Sequence, residues 1–304
     1  MAQRDGQLNL SPDILPLLKE LGDLKRIRSA GRAGSIATRL FEAGWSAYLA
    51  GQEPNGVAER AIAQGLAATR LGDIDYDTLL TLGLSGADAL AVLENAVDEV
   101  GGALNPWLTA RLKTRLAEPL PVAGALPACL VALREQPRAG VTGPGRPRIM
   151  LQPEENHSEH SFLVALYAGL LAPFYSADPG RAFWHGMVHH LHSAAMPDAG
   201  FTGEVLLGDR LDDVIDTARR LAVAQLPDPA AAMAREHFEA IADDTTASAR
   251  AFHAADVIDR VLEIDQHLKR SSVSMGLVLD DYGLVHDGPV KTFHDKVLLE
   301  VGLP

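Results

Sequence analysis

Apolar residues recur at three- and four-residue spacing along most of the 304-residue chain. This predicts amphipathic helices at Ile36–Ala50, Val57–Thr69, Ala87–Val100, His160–Ala172, Ala182–Ala195, Val214–Ala224, Pro229–Ala242 and Thr246–Lys269. Two-residue alternation is scarce, so the pattern predicts an all-α protein. One stretch near Leu277–His286 (GLVLDDYGLVHD) reads instead as a short hairpin or loop. Gln136–Pro147 (QPRAGVTGPGRP), with three Pro and three Gly, predicts a linker. It would separate an N-terminal helical lobe over 1–140 from a second lobe over 146–304.

The first lobe carries a faint copy of the second. At an offset of 121 residues, Ser35–Phe41 (SIATRLF) falls on Asn156–Phe162 (NHSEHSF), and Arg60–Asp77 falls on Arg181–Asp198. A tandem duplication of this kind places Arg39, Ala68 and Thr69 where the second copy has His160, His189 and His190. The first copy would then be degenerate and unable to bind a metal in the same way.

Composition adds the setting. With 47% hydrophobic and 22% charged residues the chain can bury a sizeable core and should be soluble. No apolar run is long enough to span a membrane, and the first twenty residues lack the order of a secretory signal, so a cytoplasmic protein is expected. The single Cys129 excludes an intrachain disulfide and any multi-cysteine zinc site. A net charge of −13 argues against nucleic acid as a partner. That charge is lopsided: residues 1–145 hold 14 basic and 16 acidic side chains, residues 146–304 hold 13 and 24. All eleven histidines lie between His157 and His294, so polar chemistry is expected in the second half.

Three segments there combine into one candidate site. Glu155–Ser161 (ENHSEHS) opens a helix bearing His160. His185–Asp198 (HGMVHHLHSAAMPD) places His185, His189 and His192 on one helical face, with His190 about 100° away. Ala251–Asp265 carries Asp256 within an apolar helix, where a carboxylate needs a cation to be buried. A metal held by His160, His189, His190 and Asp256 would supply that cation.

In this order the motifs resemble the HD-domain metal-dependent phosphohydrolases, most closely their 5′-deoxynucleotidase branch. The resemblance rests on Glu155, Asn156, Ser158, Glu159, His160 and Ser161, then on His189, His190, Ser193 and Asp198, then on Ala255 and Asp256. It spans roughly Arg146 to Lys269, with a fainter echo from Leu24 to Asp77. It implies an HD-like helical bundle and hydrolysis of a phosphomonoester such as a nucleoside monophosphate. Asp198 and Glu159 would be the catalytic acids, Arg146 and Arg148 the substrate contacts, and a homodimer is a common assembly.

Two positions depart from the family pattern. His190 stands where the family has the metal-binding Asp, which favours Zn, Fe, Co or Ni over Mg. Ser193 stands where the family has a Glu that helps position the attacking water, and serine is no general base near neutral pH. Two alternatives therefore stand beside the hydrolase: a non-catalytic ligand-binding or scaffold protein, and a di-iron oxygenase drawing on His185, His192, His237 and His253. Trp45, Trp107 and Trp184 read as core or interface anchors.

Overall fold

Polar caps, often followed by proline, set where the helices of the computed structural model begin. Residues 10–120, 124–268 and 274–304 are described. The first half holds α1 (Leu15–Gly22), α2 (Ile36–Leu49), α3 (Pro54–Leu71), α4 (Tyr76–Thr81), α5 (Gly86–Val100), α6 (Pro106–Lys113) and α7 (Ala128–Glu135). The second holds α8 (His157–Leu171), α9 (Pro179–Val188), α10 (Gly200–Leu207), α11 (Leu211–Val223), α12 (Asp228–Ala240), α13 (Ala247–Leu268) and α14 (Lys291–Glu300). In α3, α6 and α9 the first residue is proline, and Glu53, Asn105 and Asp178 just before it accept the free N–H groups of the opening turn. Ser35, Ser85 and Asn156 cap α2, α5 and α8 in the same way.

The protein is all-α, and among the described residues there is no strand, only two isolated bridges. Each of the eight predicted helices has its counterpart; the unanticipated ones are short, α1, α4, α6, α7, α10 and α14. The helix expected over Ala182–Ala195 ends at Val188 and gives way to a 3₁₀ turn over Leu191–Ala194. Leu277–Asp281 forms a π-helical turn rather than a hairpin. Lys269, at the end of the last predicted helix, and 1–9 of the N-terminal stretch lie outside the described residues.

Every residue of α8 is buried. A helix apolar on all sides belongs at the centre, and α9, α13, α2 and α7 pack around it. The approach of α9 needs Gly186, where a Cβ would lie 2.4 Å from the Ala165 backbone. One continuous core runs from Leu10 to Leu303 and draws on both halves. Trp45 and Trp184 meet in it at 5.3 Å, whereas Trp107 lies outside it, 57% exposed beneath Arg111.

The expected linker is a packed ribbon. Val141 and Ile149 exchange backbone hydrogen bonds of 2.9 Å each, and Pro137 pairs with Asn156. Its turn requires Gly140, at φ +73°, where a Cβ would meet the Ile149 carbonyl at 2.3 Å. Val141 and Leu151 then pack on Ile264 and Leu268 of α13. Pro and Gly here shape a wall against α13, just where the histidine motifs converge. No helix among the described residues is long and apolar enough to cross a membrane.

Candidate metal centre

The first turn of α8, the end of α9 and the middle of α13 meet at one point. Asn156 and Glu159 form a reciprocal capping box that fixes the start of α8 and with it His160. Because α9 stops at Val188, His189 and His190 leave the helix together and both reach His160. One ring nitrogen from each of the three lies within 4.8 Å of the others.

The outer hydrogen bonds set the tautomers. His160 Nδ1 lies 2.8 Å from Asp259 Oδ2, and His189 Nδ1 lies 2.7 Å from the Gly186 carbonyl. Both partners are acceptors, so each Nδ1 carries the proton and each Nε2 presents a lone pair. Those two Nε2 atoms face one another at 3.2 Å. Asp256 Oδ1 is 3.4 Å from the first and 3.9 Å from the second, buried and without a hydrogen-bond partner.

Three electron-pair donors thus converge with no proton among them. Ligands bound to one ion at about 2.0–2.2 Å stand roughly 3.0–3.6 Å apart, so the donor set fits a divalent metal. Burial holds His189 neutral, its pKa lowered to about 3, and His190 is also held well below the usual range by burial and by its neighbouring histidines. Burial opposes the charge of Asp256, but Arg260, whose Nη2 lies 2.7 Å from Oδ2, and the histidines keep it well below the carboxylate range. Ser193 Oγ lies 3.5 Å from His190 Nδ1, so the residue standing in place of an acid contacts a histidine of the cluster.

Behind His160 lies a buried charge network. Lys25, just after α1, sits 2.8 Å from Asp259, 3.2 Å from Glu263 and 2.5 Å from Glu155. Burial opposes its charge, but the three carboxylates outweigh that and hold its pKa well above the ordinary lysine value. Arg26 adds a 2.6 Å bond to Glu263. The first half of the chain therefore supports the candidate ligand His160 through Asp259.

A cavity of about 180 Å³ opens beside the cluster, walled by Arg138, His160, His190, Asp198, Arg260 and His286. Asp198 Oδ2 accepts the Ala139 N–H at 2.9 Å, and Oδ1 accepts that of Gly200 at 2.8 Å. Arg138 Nη1 is buried with no partner.

Several expected positions fall elsewhere. Glu159 turns away from the histidines: its carboxylate accepts from Ser35 Oγ at 2.7 Å and from the Asn156 N–H at 3.0 Å, which fits a packing role and not a water-activating one. Arg146 pairs with Asp281 at 2.8 Å and Arg148 donates to the Ala139 carbonyl, so both lie on the exposed rim and neither lines the cavity. Arg138 and Arg260 line it instead; Arg260 is legible as sharing a helix face with Asp256 four residues before it, whereas the signal for Arg138 is only an arginine inside the Pro/Gly ribbon ahead of the first motif. Of the spare histidines, His192 stays beside His190, with ring centroids 5.3 Å apart, and the other three turn elsewhere. His185 contacts His237 at 2.8 Å, His253 bonds the Ile241 carbonyl, and the ring of Phe252 sits beside both His185 and His189.

A family model described as "HD domain" matches residues 130–287, just over half of the chain. The chain belongs to the HD-domain family. No curated protein and no solved structure matches it significantly. HD domains bind divalent metals, and the family points to metal-dependent phosphohydrolysis. The matched region begins at 130, so it takes in the ribbon and Arg138 as well as the three histidine and aspartate motifs.

Proposed function

We propose that this HD domain is a metal-dependent phosphomonoesterase whose substrate is a nucleoside monophosphate. The observation that carries the reading is the convergence of His160 Nε2, His189 Nε2 and Asp256 Oδ1, with His190 beside them, at a cavity that also holds an unpartnered arginine nitrogen. His160, His189, His190 and Asp256 would hold the ion. Three imidazoles and a single carboxylate favour Zn, Fe, Co or Ni over Mg. When bound, such an ion lowers the pKa of a water and polarises the phosphoryl group.

The chain's own residues supply the rest. Arg138, and Arg260 beyond its pair with Asp256, bind the phosphate oxygens. Asp198, clamped by two backbone N–H groups, keeps free lone pairs on the cavity side and orients the attacking water. Arg146 and Arg148 contribute at most to the field at the cavity rim.

The test offers the protein, reconstituted separately with Zn, Fe(II), Co, Ni, Mn and Mg, a panel of ribo- and deoxynucleoside monophosphates. Phosphate release with a borderline metal, lost in Arg138→Ala, is the expected result. Absence of release with every metal, together with tight binding of a nucleotide, would instead leave a non-catalytic ligand-binding HD domain. Two irons per chain with oxygen consumption would favour the oxygenase.

A further inference from the structure

A second cavity lies away from the histidines. It is a cleft of about 330 Å³ in the first half, against about 180 Å³ beside the histidine cluster. It lies between the start of α2, the end of α3 and the loop that follows. The cavity beside the histidines lies between the ribbon, the start of α8, α10, α13 and the 283–286 loop, with His190 and Asp198 coming from the stretch after α9. A shift of 121 residues relates parts of the two: Ser35 and Asn156 cap the two opening helices, Gly65 and Gly186 match, and two cavity residues, His160 and Asp198, fall on the cleft residues Arg39 and Asp77. Thr38 and Glu159, also 121 apart, touch each other at 3.4 Å across the contact of α2 with α8.

In the first copy a guanidinium replaces the metal. Arg39 donates to Asp73 and to the Gly34 carbonyl, while Arg32 reaches Asp75 and Thr78. Both arginines are therefore committed, and the wall carries three aspartates, Asp73, Asp75 and Asp77, against these two cations. A phosphate would meet net negative charge there. Asp73 Oδ2 is screened from solvent and has no hydrogen-bond partner, an acceptor waiting for a donor. The remainder of the cleft is mainly apolar, floored by Ile36, Leu40, Leu93 and Leu116. A volume of this order suits a small organic molecule.

We propose that this cleft is a second ligand site, free of metal, for an uncharged ring-bearing molecule whose hydroxyl or amino groups donate to Asp73: the chemical class of a nucleoside. The ring lies on the leucine floor and the donors face the aspartates. The choice of a nucleoside among such molecules rests on the nucleotide reading of the metal site; the preference for an uncharged ligand rests on the cleft alone. The second copy would take the phosphorylated compound and the first its dephosphorylated counterpart.

Titration calorimetry on metal-free full-length protein tests this, with a panel of nucleosides and their monophosphates as probes. One equivalent of a nucleoside is expected to bind, at least tenfold more tightly than its monophosphate. Ala68→Phe, which fills the cleft, should weaken binding at least tenfold, and Asp73→Asn should narrow the preference over the monophosphate. His160→Ala, which alters the proposed metal site and no residue of the cleft, should leave nucleoside binding unchanged. No binding of any nucleoside overturns the proposal, as does a preference for the monophosphate or loss of binding in His160→Ala. Failure of the hydrolase reading shows separately, as absent phosphate release with nucleoside binding intact.

Discussion

Two protons placed on Nδ1 decide the chemistry of the cluster. Because Asp259 and the Gly186 carbonyl each claim one, the Nε2 lone pairs of His160 and His189 face each other and Asp256. His160→Ala and Asp256→Asn should each bring metal content close to zero equivalents by elemental analysis, with circular dichroism unchanged. Asp259→Asn should leave the ion bound but weaken it by roughly 10–100-fold, as expected when the partner that orients a ligand histidine is lost; unchanged affinity would remove Asp259 from the site. His190→Asp should shift the preference from borderline metals toward Mn and Mg, read by competition titration. The proposed ligands stand out in the sequence because histidines at close spacing and an aspartate in an apolar helix are costly without a cation. Asp259 does not, though it stands only three residues from Asp256, because an acid on an amphipathic helix reads first as a solvated one. Arg138 was hidden for a different reason, since proline and glycine around it read as a linker when they were shaping a turn.

At the scale of the helix, the same periodicity that reveals an element hides where it stops. His185, His189 and His192 share a face only on an unbroken helix, and α9 ends at Val188. Its end sends His189 to the metal cluster and leaves His185 facing His237 of α12. That pair is a stability element sensitive to acid. Burial lowers the pKa of His237 to about 4 and of His185 to about 2, from about 6.5 in an unfolded chain. Below about pH 6.5 the unfolded state takes up protons that the folded state refuses, so stability falls as pH drops toward 4. For His237 alone the linkage relation gives about 2 kcal/mol lost by pH 5. Urea unfolding of metal-free protein at pH 7 and pH 5 should show that loss, and His237→Phe should reduce it. Glu159 belongs to this scale as well. Its place in the family motif suggests catalysis, but as the third residue of α8 it closes a capping box and bonds Ser35. Glu159→Ala should cost about 1–3 kcal/mol of stability while metal content stays at the wild-type level; loss of the ion without loss of stability would return it to the site.

For the molecule as a whole, the two halves meet at charge as well as at the core. The sequence suggested two lobes packed against each other across a linker, because composition and histidine content change near the middle of the chain. Which residues make that contact is not visible in such a change. Lys25 comes from the first half, yet its ammonium is buried among Glu155, Asp259 and Glu263, all from the second, and Asp259 in turn holds His160. Removing one partner of a buried charge group leaves the others uncompensated, which costs about 3–5 kcal/mol. Lys25→Met, which keeps the apolar stem and deletes the charge, should therefore destabilise the entire chain by that amount, in one transition and not in two. It should also weaken metal binding, because Asp259 would gain a proton and lose its grip on the His160 N–H. Combining Lys25→Met with Glu263→Gln removes one of the stranded carboxylates and should recover part of the stability, the mark of a direct interaction in a double-mutant cycle. If Lys25→Met left the second half folded with metal affinity intact, the N-terminal segment would be a neighbour of the metal centre and no part of its support.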